Sequence, residues 1–251
     1  DKKKLENAKV TTCEADQNEW FITSDETIID QSSGNIKAKH ATLSLKGVPI
    51  MYSPYVDFST TSQRKSGWLL PTAGSTTTSG FETSIPYYFN LSPTHDATLT
   101  SRYMEKRGLQ FDGEFRYLSK NYKGTSEIQY LNKDRDADID NRYLLDIKHQ
   151  HNFGNGFSGT VEYEKVKSND NNYFADMSTS IAVTSQVSLR QTAHLDYKKT
   201  DDSSDIKGSL KVQEFQNLTS ASPYELKPSF NLSYKKDWED KADQSLFLQT
   251  G

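Results

Sequence analysis

Long apolar runs are missing from this chain of 251 residues, and cysteine is nearly so, with Cys13 the single example. A transmembrane helix needs about 18 or more consecutive apolar residues, so none is encoded here. One thiol excludes an internal disulfide. It is either a buried, inert side chain or one half of a bridge whose partner lies outside this sequence. No histidine is near it in sequence, so nucleophilic catalysis has no support there. A basic excess is also lacking: the net charge of −4 leaves no footprint for nucleic acid. Phosphate loops and nucleophile constellations are absent, and His149-x-His151, a possible chelating pair, lacks a third ligand. The reading is not an enzyme, with no metal and no cofactor. The opening residues, "DKKKLENAKVTTC", carry no leader peptide, so a processed or excised piece of something longer is expected.

Aromatic residues are plentiful: 12% of the chain, mostly 14 Tyr and 12 Phe, against only 33% hydrophobic residues in total. Few aliphatics, many aromatics and abundant small polar residues fit two architectures. One is a membrane β-barrel with a thin apolar outer face, aromatic girdles and a polar interior. The other is an extended secreted β-protein.

Residues 1–58 read as short strands. "EWFITSDETIIDQSSGNIKAKHATLSL" turns at Ser32-Ser33-Gly34-Asn35, a hairpin signal, and "GVPIMYSPYVDF" is broken by Pro49 and Pro54. This is expected to be the end of a small sandwich or jelly roll. "STTSQRKSG" then supplies a polar hinge at 59–66, in which Arg64-Lys65 is a solvated pair. After it, alternating segments recur at 67–76, 81–91, 95–105, 108–118, 123–132, 141–152, 156–167, 186–199, 205–216 and 225–236, with a broken-off start at 243–251. Rows such as Leu109, Phe111, Phe115 and Tyr117 alternate with Gln110, Asp112, Glu114 and Arg116. The same dyad recurs at Val161 and Tyr163 against Thr160, Glu162 and Glu164, and at Val187, Leu189, Ala193, Leu195 and Tyr197. Strands of about ten residues with this dyad suit a tilted membrane barrel, whose interior needs carboxylates such as Asp112, Glu114, Glu162 and Glu164 in any case. Connections near 133–140, 168–185 and 217–224 are long, whereas those near 92–94, 119–122 and 153–155 are tight. Barrels sort their loops this way, and a soluble sandwich has no reason to. The expected fold is therefore all-β: the end of a small sandwich or jelly roll, then an incomplete antiparallel transmembrane barrel of about eleven strands over 67–251.

Prolines are few, yet two fall inside the first two barrel strands, "GWLLPTAGST" and "GFETSIPYYFNL". A hairpin register in which opposed numbers sum to 157 aligns Trp68 with Phe89, Leu70 with Tyr87, Thr72 with Ile85 and Thr76 with Phe81. Pro71 then lies directly opposite Pro86. Two missing donors at one level mark either a harmless sheet edge or a seam that must come apart sideways.

The order of "TTC…W" (Thr11–Cys13, Trp20), "VPIMYSPY" (Val48–Tyr55), "RKSGWLLP" (Arg64–Pro71), "PYYFNLSPTHDATLT" (Pro86–Thr100), "RGLQFDGEFRYL" (Arg107–Leu118) and "YF" before Asp176 resembles the LPS-assembly protein LptD family. The likeness runs from about Thr11 to at least Asp176 and is densest over 48–118. It implies an outer-membrane translocon whose periplasmic jelly roll receives lipopolysaccharide from periplasmic bridge proteins. A very large barrel, plugged by the lipoprotein LptE, would then release the lipid into the outer leaflet through a lateral gate. On that reading Pro71 and Pro86 are the gate-weakening prolines, and Cys13 pairs with a cysteine near the family's C-terminus that this chain does not contain. Acyl chains are expected to follow Ile36, Leu43, Leu45, Val48, Ile50 and Met51. Eleven strands cannot close so large a barrel. A partial chain is thus expected to need its remaining strands or an edge-capping partner such as the barrel-assembly machinery. Two other readings stay open: a diffusion porin, and a soluble secreted β-adhesin.

Overall fold

The computed structural model describes residues 2–11, 13, 19–59, 64–177, 187–201, 204–219, 226–238 and 241–250. Thr12, residues 60–63 of the expected hinge, 178–185 of one expected loop and 220–224 of another lie outside the described residues. Strands dominate, and they form two antiparallel sheets. The expected fold class holds: a jelly-roll end followed by an incomplete barrel wall.

The first sheet has the order β1-β2-β3-β4: Lys2–Val10, Trp20–Asp30, Asn35–Leu45 and Val48–Ser59. The turn between β2 and β3 is the one expected, with Gly34 at a φ of 65°. Ile29 pairs with Ile36, Ile22 with Leu43 and Leu43 with Met51, so apolar residues meet across three strands. Glu26 of β2 lies between Lys4 of β1 and Lys39 of β3, 3.0 and 3.2 Å from their ammonium groups. Hydrogen bonds from these lysines hold the Glu26 carboxyl below the usual carboxylate range.

The second sheet has twelve strands. Its first strand is broken into β5 (Gly67–Trp68) and β6 (Thr72–Thr76), both paired with β7 (Gly80–Ser92). Then follow β8 (His95–Met104), β9 (Gly108–Leu118), β10 (Tyr122–Asp134), β11 (Ile139–Gly154) and β12 (Phe157–Val166). A short helix, α1 (Tyr173–Met177), precedes β13 (Ser188–Asp201), β14 (Ser204–Asn217), β15 (Leu226–Trp238) and β16 (Lys241–Thr250). Each strand from β8 onward lies beside its sequence neighbours, the meander that period-two patterning and short turns dictate. The sheet runs from β5 and β6 at one edge to β16 at the other, and among the described residues nothing joins the two edges.

Register keeps the two rows apart. Phe111 pairs with Tyr130, Tyr130 with Tyr143, Ile147 with Tyr163, and Leu195 with Leu210, which pairs in turn with Phe230. A one-residue slip would turn every one of these to the other face. The row is exposed, with Leu109, Phe111, Ile128, Leu195, Leu210 and Phe230 each more than 40% accessible. An aliphatic and aromatic face left open over a whole sheet is far larger than the patches soluble monomers tolerate. At the end with the tight turns this face carries linked rings. His95 stacks near Phe115 and Tyr117, Tyr122 meets His151, and His151 lies flat on Phe153 at 4.2 Å. His149 shares a hydrogen bond of 2.6 Å with the Tyr117 hydroxyl. The His149-x-His151 pair therefore belongs to an aromatic girdle.

Two details differ from the sequence reading. The turn between β10 and β11 is only residues 135–138, because both strands extend further than their apolar row. Leu189 leaves the exposed row and is fully buried, drawn into a small core with Met104, Leu131 and Val166.

Candidate functional site

The first hairpin corrects the uniform register. Trp68 pairs with Tyr87, not Phe89; Thr72 pairs with Ser84, not Ile85; and Thr76 pairs with Gly80, not Phe81. Two causes add up. Gly80 adopts a left-handed φ of 70° at the end of the Thr77–Ser79 turn, which shortens the loop by one position. Between the pairs Trp68–Tyr87 and Thr72–Ser84, residues 69–71 face only residues 85–86. That extra residue is a bulge, and bulges are where a strand tolerates proline.

Pro71 and Pro86 are therefore not opposite each other, although both fall in the same interruption. The Leu69 N–H donates to the Pro86 carbonyl at 2.9 Å. In an antiparallel pair of this kind the second bond would run from the nitrogen of residue 86 to the Leu69 carbonyl. Proline cannot donate it. Pro86 thus removes half of a two-bond pair, whereas Pro71 lies where the ladder has already lapsed. Trp68 packs edge-on against Tyr87 at 4.9 Å, and Tyr87 against Phe89 at 4.7 Å. Leu70 is 73% exposed, and Phe81 and Phe89 are also open. Asn90 adds two bonds, from its N–H to the Ser66 hydroxyl and from its amide to the Arg64 carbonyl, each 2.8 Å. Lys65 is bound to Asp57 at 2.6 Å. The interruption coincides with a division of the chain into two compact units. Asp1–Pro71 with Ile85–Leu91 form one, and Thr72–Ser84 with Ser92–Gly251 the other.

The sequence reading missed a second feature, on the polar face of β8 to β14. The segment after β12 folds back onto that face instead of extending as a polar loop. Tyr173, Phe174 and Met177 of α1 pack with Met104, Leu131, Leu144, Val166, Leu189 and Leu218. The Tyr173 hydroxyl donates to the Gln129 side-chain oxygen at 2.9 Å, and burial pushes that phenol above its ordinary range.

Beside this core lie two arginines and three aspartates. The Arg142 guanidinium is 0% exposed. It grips both oxygens of Asp170 at 2.7 and 2.8 Å, reaches Asp176 at 2.9 Å and also contacts Asp134. Arg107 bonds Asp134 at 2.7 Å and Asp176 at 3.0 Å. Asp134 further accepts from the backbone N–H groups of Asp136 and Ala137. Burying such charges is costly unless each is paired, and here each carboxylate has a guanidinium. The clue available in the sequence was a hydrophobic "YF" inside an otherwise polar stretch with Asp170 and Asp176 on either side. A loop meant for water has no need of it.

The expected lipid-path residues differ in exposure. Ile36 and Leu43 are buried, and Met51 pairs with Leu43. Leu45 and Val48 are directly opposed and exposed. Ile50 is the additional residue where the β3–β4 register shifts, and it is also exposed. At Cys13, the backbone N–H donates to the Thr11 hydroxyl at 3.0 Å. Hydrogen bonding from Thr11, then from the Trp20 backbone, sets the thiol below its ordinary value. Asp112, Glu114, Glu162 and Glu164 stand on the polar row, where Asp112 pairs with Gln129 and Glu162 with Lys148.

A jelly-roll end joined to a meander with an open apolar row, an aromatic girdle and a charged opposite face defines the wall of a membrane-type β-barrel. The LptD protein family matches residues 36–243. An LPS-assembly protein LptD from Nitrosomonas eutropha is 36% identical over 93% of this chain and 33% of its own length. Those of Chromobacterium violaceum and Bordetella avium are 39% and 42% identical, over 84% and 70% of the chain and 26% and 22% of their own lengths. This chain belongs to the LptD family, and it spans a third or less of those relatives.

Proposed function

We propose that the chain supplies the entry section of an outer-membrane lipopolysaccharide translocon. Residues 1–58 are the end of a periplasmic jelly roll, 59–66 a hinge, and 67–251 the first strands of the barrel. Lipopolysaccharide arrives from periplasmic bridge proteins. Its acyl chains follow apolar jelly-roll surface that includes Ile36, Leu43, Leu45, Val48, Ile50 and Met51. Its sugars face the polar row, and the lipid leaves sideways beside β5 and β6. The lipoprotein LptE, the missing strands and the barrel-assembly machinery are the partners this scheme requires. Cys13 is one half of a bridge to a cysteine elsewhere in the whole protein, and its lowered thiol value favours the exchange that would form such a bridge.

The observation that carries the reading is the interrupted first hairpin, in which a bulge and a missing donor weaken the same few residues. A diffusion porin has no use for such a flaw, and a soluble adhesin has no use for the open apolar row. The test is Pro86→Ala combined with Pro71→Ala in the full-length protein, with lipopolysaccharide at the surface of intact cells as the readout. Reduced surface lipopolysaccharide at normal barrel abundance is expected. Unchanged export would refute the gate.

A further inference from the structure

The hairpin that is weak at its Gly67 end is held fast at its other end. At the Thr77–Ser79 turn, the Lys106 ammonium donates to the Thr77 carbonyl at 2.7 Å and Arg107 Nε to the Thr78 carbonyl at 3.1 Å. The Lys106 N–H donates to the Ser79 carbonyl at 3.1 Å. Two residues further on, the Phe81 N–H donates to the Glu105 carboxylate, and the Glu105 N–H to the Phe81 carbonyl, each at 2.9 Å. Glu82 then receives Arg102 at 2.6 Å, with both side chains about 15% exposed.

Both arginines also hold the inward-folded segment. Arg102 donates its other terminal nitrogen to the Met177 carbonyl at 2.8 Å, at the end of α1. Arg107 binds Asp176 and Asp134. Two side chains thus reach in both directions, to the first hairpin and to the segment that covers the polar face.

We propose that Arg102 and Arg107 are positioning residues that clamp the Thr77–Glu82 end of the first hairpin to the Lys167–Met177 segment, so that the hairpin swings open only from its Gly67 end. The swing rests on the lateral-gate reading; the clamp rests on the bonds themselves. A seam pivoting on one fixed end opens as a wedge, and the turn stays bound throughout.

The experiment uses the full-length protein in lipid nanodiscs. Amide hydrogen exchange is followed over 77–84 and 167–177, with 204–217 as an internal reference. Arg102→Gln is expected to accelerate exchange about tenfold in both regions, the loss of a charge-assisted bond to each. Glu82→Gln leaves the Arg102 bond to Met177 in place, so it should loosen 77–84 alone. Maleimide labelling at Leu70→Cys should keep its wild-type rate in the Glu82→Gln background, while labelling at Thr77→Cys rises. Unchanged exchange over 77–84 in both variants would overturn the clamp, as would acceleration that spreads equally to 204–217 or equal gains in labelling at 70 and 77. The outcome is separable from that of the gate. Looser exchange together with proline variants that export normally would keep the clamp and remove the swing. Unchanged exchange with export-impaired proline variants would do the reverse.

Discussion

Replacing Arg142 with methionine should expose how much of the barrel wall depends on its buried charges. The substitution keeps a long, flexible side chain of similar reach and removes only the cation. Arg107 continues to hold Asp134 and Asp176. Asp170, 2% exposed, loses both bonds it receives from Arg142. Leaving one buried partner of an ion pair uncompensated costs about 3–5 kcal/mol. The retained Arg107 contacts place Arg142→Met near the lower end, about 3 kcal/mol. Adding Asp170→Asn removes the stranded charge, so the double variant should recover a coupling energy of about 1–3 kcal/mol. The assay is denaturant unfolding of the full-length protein in lipid, with midpoints compared at constant slope. Proteolysis across 167–177 reports in parallel whether the segment has lifted. A midpoint within about 0.5 kcal/mol of wild type, below the usual range for breaking a buried network, would refute the reasoning. Strictly additive losses would refute it too.

Other expectations can be checked in the same protein. Phe174→Ala, which empties part of the core under α1, should cost about 3–5 kcal/mol and open 167–177 to protease. Pro86→Ala restores a donor facing the Leu69 carbonyl and should tighten the hairpin by about 1 kcal/mol; Pro71→Ala, at the bulge, should tighten it less. Amide exchange over 67–70 ranks the two, and the opposite order would contradict the bulge. Gly156→Ala puts a Cβ against the Lys198 carbonyl at a φ of 86°, so folding yield should fall sharply, whereas Gly74→Ala, with open space around it, should be close to neutral. Alkylation of reduced Cys13, followed by mass spectrometry across pH, should reach half its maximal rate below the ordinary thiol value of 9.0, because the lowered value keeps more thiolate at a given pH.

Much of the wall was legible because a period of two leaves little freedom. The row Leu109, Phe111, Phe115 fixes both the face and the strand, and the observed β9 is Gly108–Leu118, as read. The first hairpin was legible as flawed, but its register was not, since a single sum cannot hold across a left-handed glycine and a bulge. Both are backbone choices that a side-chain pattern does not record. The buried arginines were hidden for a different reason. Arg107 and Arg142 look like ordinary polar residues until Asp170 and Asp176, far along the chain, fold back to meet them. Long-range pairing of that sort leaves no local periodicity, and only the misplaced Tyr173-Phe174 hinted at it.

That fold-back has a bearing on how the chain tolerates change. Connections at the end of a sheet ordinarily drift in length and composition at little cost, because water is their only neighbour. The stretch Lys167–Met177 has no such licence, for it packs against the polar face of the sheet and its two aspartates are spoken for by residues more than twenty-five positions upstream. Insertions there should act like defects in the hydrophobic heart of a soluble domain, while the neighbouring hairpin tip at 135–138 should accept tags or epitopes as long as Asp136 and Ala137 can still cap Asp134.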